Sequence, residues 1–309
     1  MPRVSVIVPT YNLGHMLRDT IVSVLQQTEH DLEVIVVDDG STDNTGEVVK
    51  SMGDSRVRYF YKDNGGISNA RNYGLLKATG EYVAFLDHDD LWPPNYLEVT
   101  VRNLEQHKEF GLVYSPISVV RRDGSKVHSY KRPEGKSGRI TPDVFKKGFI
   151  WPSAGVIRRS ILKDFYFDES LKRGGEDGDF FLRLSARCPF LFVPDVQAIR
   201  REHDRNYSWE LGVLPARILV LERFYFRLGG EKLIPRGIAR RKLSHACRAV
   251  AEGKRRQKAR AAALKLYGRA ISYWPYDLRL YLGAGRALLL RKDADTEPDW
   301  RMPDPLPAI

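Results

Sequence analysis

The apolar run Tyr82 to Leu86 ends in Asp87-His88-Asp89-Asp90. Carboxylates crowded at a buried strand end repel one another unless a cation or hydrogen bonds compensate. A hard divalent ion such as Mg²⁺ or Mn²⁺, held by one or two carboxylates and by substrate phosphate oxygens, meets that need and helps a diphosphate depart. His88 sits between Asp87 and Asp89 and by strand alternation points outward, as a neighbour rather than a ligand. Asp38-Asp39-Gly40-Ser41-Thr42-Asp43 reads as a turn into a helix capped by Thr42. It reads equally as a strand end whose carboxylates accept from a uracil N3–H or a ribose hydroxyl. Arg71 follows the Gly65-Gly66 turn; it fits either an exposed helix-start arginine or a bidentate phosphate contact. Glu176-Asp177-Gly178-Asp179 complements a helix dipole, and Asp177 also fits a general base acting on a hydroxyl, a role worth ~10²- to 10⁴-fold.

The elements that must carry these groups alternate along the chain. Val4 to Val8, Glu33 to Asp38, Val57 to Tyr61 and Tyr82 to Leu86 read as buried strands. Met16 to Gln27, Thr42 to Met52 and Ile67 to Lys77 carry apolar residues at helical spacing. That βαβα rhythm predicts a doubly wound α/β domain with right-handed crossovers. In such a sheet ligands bind beyond the carboxyl ends of the strands, and every early strand ends in polar residues, the first in Pro9-Thr10-Tyr11-Asn12. From Gly111 the pattern is mixed: Leu112 to Val120, a polar hairpin around Asp123-Gly124, Ala154 to Ile157, then a helix over Glu176 to Ala186. Beyond Leu211 four helices are predicted: Leu214 to Leu228, Ile238 to Ala251, Ala259 to Ser272 and Leu278 to Leu290. The division expected is a catalytic domain over residues 1–210, a basic helical region over 211–292, and a loose Pro- and Asp-rich tail over 293–309.

The chain of 309 residues carries a net charge of +11, which becomes informative once divided. Residues 1–200 hold 27 basic and 27 acidic side chains, whereas 201–309 hold 23 and 12. The segment 217–269 alone holds 16 basic and 3 acidic. A neutral body with a basic appendage predicts an anionic partner for the appendage. With Phe224, Tyr225, Phe226, Leu228 and Leu233 interleaved among the cations, an anionic inner membrane surface is favoured, with lipid-linked acceptors in reach; a solvated helical cap fits as well. No stretch approaches the ~18 uncharged apolar residues of a spanning helix, and Val4 to Val8 is too short for a secretory core, so a cytoplasmic protein is expected. Cys188 and Cys247 are far apart and predict neither a disulfide framework nor a zinc site.

Taken in order, Val4 to Asn12, Val36 to Asp43, Ala70-Arg71-Asn72-Tyr73-Gly74, Gly80 to Asp90 and Gly175-Glu176-Asp177 resemble glycosyltransferase family 2 across residues 3–205. The resemblance implies a GT-A fold: a mostly parallel, Rossmann-like central sheet flanked by helices. It also implies a nucleotide-diphosphate sugar donor, a divalent metal and inversion at the anomeric carbon. It puts Pro9, Thr10 and Tyr11 around the base, Asp39 on uracil with Asp38 in support, and Arg71 near the nucleotide. Asp87 and Asp89 become the DxD pair, with Asp89 the direct metal ligand and Asp87 nearer the ribose or sugar. Asp177 becomes the base, and His203 matches a position near the diphosphate. Spanning helices and a QxxRW segment, which accompany processive members, are missing from this sequence, which favours transfer of one sugar.

Other readings fit less well. Pro9 to Gly14 is not the Gly-rich basic loop of a nucleotidyltransferase. Gly135-Lys136-Ser137 lacks the Walker glycine, because position 130 is Tyr130, and no GxGxxG follows a strand. A catalytically inactive sugar-nucleotide or nucleic-acid binder with a basic tail remains the alternative, though no nucleic-acid motif accompanies the charge.

Overall fold

The computed structural model describes residues 1–121, 124–127, 135–148, 150–172, 174–203 and 213–290. The chain divides into two compact units. The first comprises Met1–Ile140, Ile150–Lys172 and Leu184–Asn206; the second comprises Thr141–Phe149, Arg173–Arg183 and Tyr207–Ile309. The predicted tail over 293–309 lies outside the described residues.

The first unit is built on β1 (Val4–Thr10), β2 (Leu32–Asp38), β3 (Val57–Tyr61), β4 (Tyr82–Phe85), β5 (Leu112–Tyr114), β8 (Gly155–Arg158) and β9 (Phe190–Phe192). They form one sheet in the order β3-β2-β1-β4-β8-β5-β9. The β3–β2, β2–β1, β1–β4 and β5–β9 pairs are parallel, and β8 runs antiparallel to both neighbours. A second sheet joins β10 (Ala198–Arg201), β6 (Ile117–Val120) and β7 (Lys126–Val127) in that order. The hairpin expected around Asp123-Gly124 is the β6–β7 pair, with Gly124 at φ +77°; Asp123 itself lies outside the described residues.

Helices α1 (Gly14–Leu25), α2 (Thr45–Lys50), α3 (Ile67–Lys77) and α4 (Tyr96–Gln106) follow the first four strands. β1 and β2 are buried along their whole length because they are central and covered on both faces. Val57–Tyr61 was expected to be buried and is not: as β3 it is the edge strand, half-buried with Tyr61 exposed. Gly74 lets α3 press onto β1, since a Cβ there would stand 2.4 Å from Ile7 Cγ2.

The second unit is helical: α5 (Thr141–Lys147), the start of α6 (Glu176–Arg187), α7 (Val213–Arg227), α8 (Arg236–Arg256), α9 (Arg260–Tyr273) and α10 (Leu278–Leu288). Ile218, Cys247, Val250, Ala263, Tyr267, Leu280 and Ala287 form its core. Gly283 brings α10 against α9, its missing Cβ lying 2.5 Å from the Tyr267 ring. Phe224 and Tyr225, read above as an outward apolar face, are buried at 1% and 6% exposure with their rings tilted against Phe145 of α5; Phe226 and Leu233 are exposed. Helical periodicity marks an apolar face but not what covers it. Among the described residues no helix is long and apolar enough to cross a membrane.

Candidate functional site

Parallel pairing puts the carboxyl ends of β1, β2 and β4 side by side: Thr10 lies opposite Asp38, and Leu86 N–H donates to Ile7 O. The polar residues that follow these strands therefore share one edge.

On one side of that edge stand Asp38 and Asp39, both nearly fully buried. Asp38 accepts from Ser41 N–H at 2.8 Å and from Tyr59 OH at 2.6 Å. Burial and this bond to a carboxylate push the Tyr59 phenol well above its usual range. Asp39 accepts from Lys62 Nζ (2.6 Å), Gly65 N–H (3.0 Å) and Gly66 N–H (2.8 Å), while Asn64 Nδ2 donates to its carbonyl. A carboxylate offers about four lone-pair directions, so three donors leave about one for an incoming N–H or hydroxyl. The tight turn depends on Gly40 at φ +87°, where a Cβ would sit 3.0 Å from Asn64 N.

Thr42 is not the helix cap the sequence suggested. α2 begins at Thr45, and Thr42 N–H donates instead to Asn12 Oδ1, which also accepts from Asp43 N–H. Asn12, at φ +49°, thus ties the end of β1 to the loop after β2. Pro9 and Thr10 are buried, and Tyr11 is half exposed.

The β4 end is held from three directions. Arg71, buried in α3, donates through Nη2 to Asp87 Oδ1 at 2.8 Å, with its guanidinium 5.1 Å above the Phe167 ring. It is therefore not the exposed helix-start arginine of one sequence reading. Asp89 Oδ2 lies 2.8 Å from His203 Nε2, a contact spanning 114 residues of sequence. Arg201 Nε donates to Asp89 O, and its other nitrogens donate to Asp19, Met16 O and Thr20 of α1. Asp87 and Asp89 nevertheless keep 25% and 16% of their side-chain surface open.

His88 does not point outward as alternation suggested, because the strand ends at Phe85. Its Nδ1 accepts from Tyr11 N–H (3.4 Å) and lies 3.0 Å from Thr10 Oγ1, linking the β1 and β4 ends. Burial lowers its pKa against the opposing pull of Asp89 and Asp87, which keeps the ring neutral and able to accept. Asp90 is buried and accepts from Ser153 Oγ at 2.6 Å; burial, then the Asp89 and Asp87 charges, raise its carboxyl well above the usual range. Asn64, singled out among the polar residues after the third strand, does meet the site, whereas Lys62, Ser153 and Arg201 were not singled out from sequence, since nothing in spacing marks a partner that only folding brings near.

A divalent ion fits the donor set at this edge. Among the described residues no three His, Cys, Asp or Glu side chains form a protein cage. A pair of part-open carboxylates suits a hard cation that takes its remaining ligands from phosphate and water.

Asp177 lies in the second unit, in the first turn of α6, and is half-buried. Its neighbour Asp179 is buried at 1% exposure between Arg183 Nε (2.7 Å) and Arg223 Nη2.

The profile of the family described as Glycosyl transferase family 2 matches residues 5–166. The chondroitin synthase of Pasteurella multocida is 35% identical over 211 residues, 67% of this chain and 21% of that protein. The chain spans between 21% and 65% of the length of such curated relatives. Among solved structures, S. aureus TarS 1–349 in complex with UDP-GlcNAc has a TM-score of 0.60 at 21% identity, covering 89% of each chain. The mannosyltransferase PcManGT from Pyrobaculum calidifontis, in complex with GDP-Man and Mn²⁺, has a TM-score of 0.56 at 23% identity, covering 94% of this chain and 88% of that one. At such identities the likeness establishes the fold, which is GT-A.

Proposed function

The chain belongs to glycosyltransferase family 2, and from that membership we propose that it moves a single sugar from a nucleotide-diphosphate donor, a UDP-sugar first, to a hydroxyl acceptor with inversion. The observation that carries this reading is the shared edge where Asp39 retains an open acceptor direction while Asp87 and Asp89 are held part-exposed by Arg71 and His203.

In this reading Pro9, Thr10 and Tyr11 flank the base, Asp39 accepts from it, and Asp38 keeps the loop in register through Ser41 and Tyr59. Arg71 orients Asp87 toward the ribose or sugar, and His203 orients Asp89. Asp89, with Asp87 beside it, would hold a bound Mg²⁺ or Mn²⁺, whose positive charge favours departure of the diphosphate. Asp177 takes the acceptor proton, so that the freed oxygen attacks C1 from the face opposite the nucleotide. No enzyme nucleophile is needed, which accords with inversion. The TarS complex with UDP-GlcNAc supports a UDP donor, the PcManGT complex supports a divalent ion, and the Pasteurella synthase supports a role in surface polysaccharide or glycolipid assembly. The basic second unit supports work on the cytoplasmic face of an anionic membrane, where a lipid-linked or saccharide acceptor is within reach.

Calorimetric titration of UDP, GDP, dTDP and ADP, each with and without Mn²⁺, tests this reading. Metal-dependent binding of one nucleotide is the expected result. A folded protein that binds none of them would leave the non-catalytic alternative standing.

A further inference from the structure

α10 exposes an apolar face that none of the described residues covers. Leu278, Tyr281, Leu282, Leu288 and Leu289, with Tyr276 just before the helix, are between 47% and 82% exposed. They are six of the fifteen exposed large hydrophobic side chains among the described residues, gathered within one short segment. At ~100° per residue the five helical ones fall within an arc of ~120°. The opposite side, Leu280, Gly283 and Ala287, is buried in the core of the unit. Arg279 and Arg286 flank the apolar arc on one edge; Arg279 pairs with Asp277, and Arg286 has no acidic partner among the described residues. From 278 to 292 the sequence holds four cations, Arg279, Arg286, Arg291 and Lys292, and no acid.

We propose that this face of α10 is the surface by which the protein lies on an anionic lipid bilayer. The proposal rests on the membrane attachment suggested above and moves it from the α7 aromatics, two of which are core, to α10. A leucine stripe edged by arginine matches the two demands of an interfacial helix: apolar burial at the acyl boundary and attraction to acidic headgroups. Tyr276 and Tyr281 carry the apolar body and polar tip that settle at headgroup depth. A second copy of the chain is the poorer occupant, because a two-fold contact would bring two acid-free cationic helices together.

The test uses the full chain and sedimentation with phosphatidylcholine vesicles, with and without phosphatidylglycerol. Wild-type protein is expected on the phosphatidylglycerol vesicles and not on pure phosphatidylcholine. Leu282→Glu with Leu289→Glu should lower that partition at least ~10-fold, and Arg286→Glu should lower it less and lose its effect at high salt. Phe226→Ser, on an exposed site of α7, should leave it unchanged. Circular-dichroism melts of the same preparations verify folding, and nucleotide titration reads the donor site separately, so either reading can fail alone. Equal vesicle binding by the double variant overturns the proposal. So does a concentration-dependent dimer, seen by light scattering, that the double variant abolishes.

Discussion

Both units bury charge, and they treat it differently. In the helical unit Asp179 sits between Arg183 and Arg223, and Glu222 between Arg269 Nη2 (2.5 Å) and Tyr273 OH (2.6 Å); both acids are sealed at 1% exposure. In the sheet unit Asp39 has three donors and room for another, and Asp87 and Asp89, beside Arg71 and His203, keep part of their carboxylate surface exposed. A closed set of partners serves packing, because any added ligand must first break it. An incomplete set, held rigidly by its neighbours, is prepared for a ligand that completes it.

Substitutions can break or sharpen this contrast. Asp89→Ala should reduce kcat/KM by ~10⁴-fold, or ~5.5 kcal/mol, with the thermal midpoint almost unmoved; a large fall in midpoint instead would class Asp89 with the structural acids. Asp179→Ala should do the reverse and cost ~3–5 kcal/mol of stability, because it removes the buried carboxylate that two buried guanidinium groups share; denaturant unfolding measures it, and a stable variant would undo the contrast. Asp39→Asn is expected to weaken nucleotide binding ~10- to 100-fold, or ~1.4–2.7 kcal/mol, by calorimetry, since one amide replaces an acceptor already shared among three donors. Asp177→Ala should leave that calorimetric affinity intact and remove turnover by ~10²- to 10⁴-fold; normal turnover would reassign the base.

The smallest effect concerns Lys242 of α8, which donates to Lys146 O and has its pKa lowered to about 8 by burial and then by Arg217. Below that pH the folded state carries the charge at a cost. Between there and the ordinary lysine value the unfolded chain holds more protons, so this group's contribution to stability rises with pH. Lys242→Met should therefore raise the midpoint by ~2–4 °C at neutral pH, with the gain fading toward pH ~10; melts across that range would show it, and a pH-independent difference would contradict it.

Much of the fold was legible because local pattern and packing agree. Helical spacing predicted Ile67 to Lys77, the bounds of α3, and the polar residues after β1, β2 and β4 pointed to one edge before any register was known. What stayed hidden depended on distant partners. Strand order, which leaves β3 at the edge, cannot be read from the composition of Val57–Tyr61. Thr42 N–H goes to Asn12, thirty residues earlier, and α2 starts only at Thr45. The buried Phe224 and the exposed Leu282 belong to equally apolar helices, and only the tertiary contacts separate them. His203 was found through resemblance, whereas Arg201, two residues before it, carries no motif at all.

Arg201 also sets an order of events during synthesis. Its side chain ties the carbonyl of Asp89 to Met16 and Thr20, and His203 meets the carboxylate of the same aspartate. A ribosome adding ~5–20 residues per second needs ~6–22 s to travel from Asp89 to Arg201. During that interval the nascent chain can display its early strands while the turn at Asp89 still lacks its clasp. A transcript cut short in that stretch would yield early strands whose Asp89 turn has neither Arg201 nor His203 to hold it.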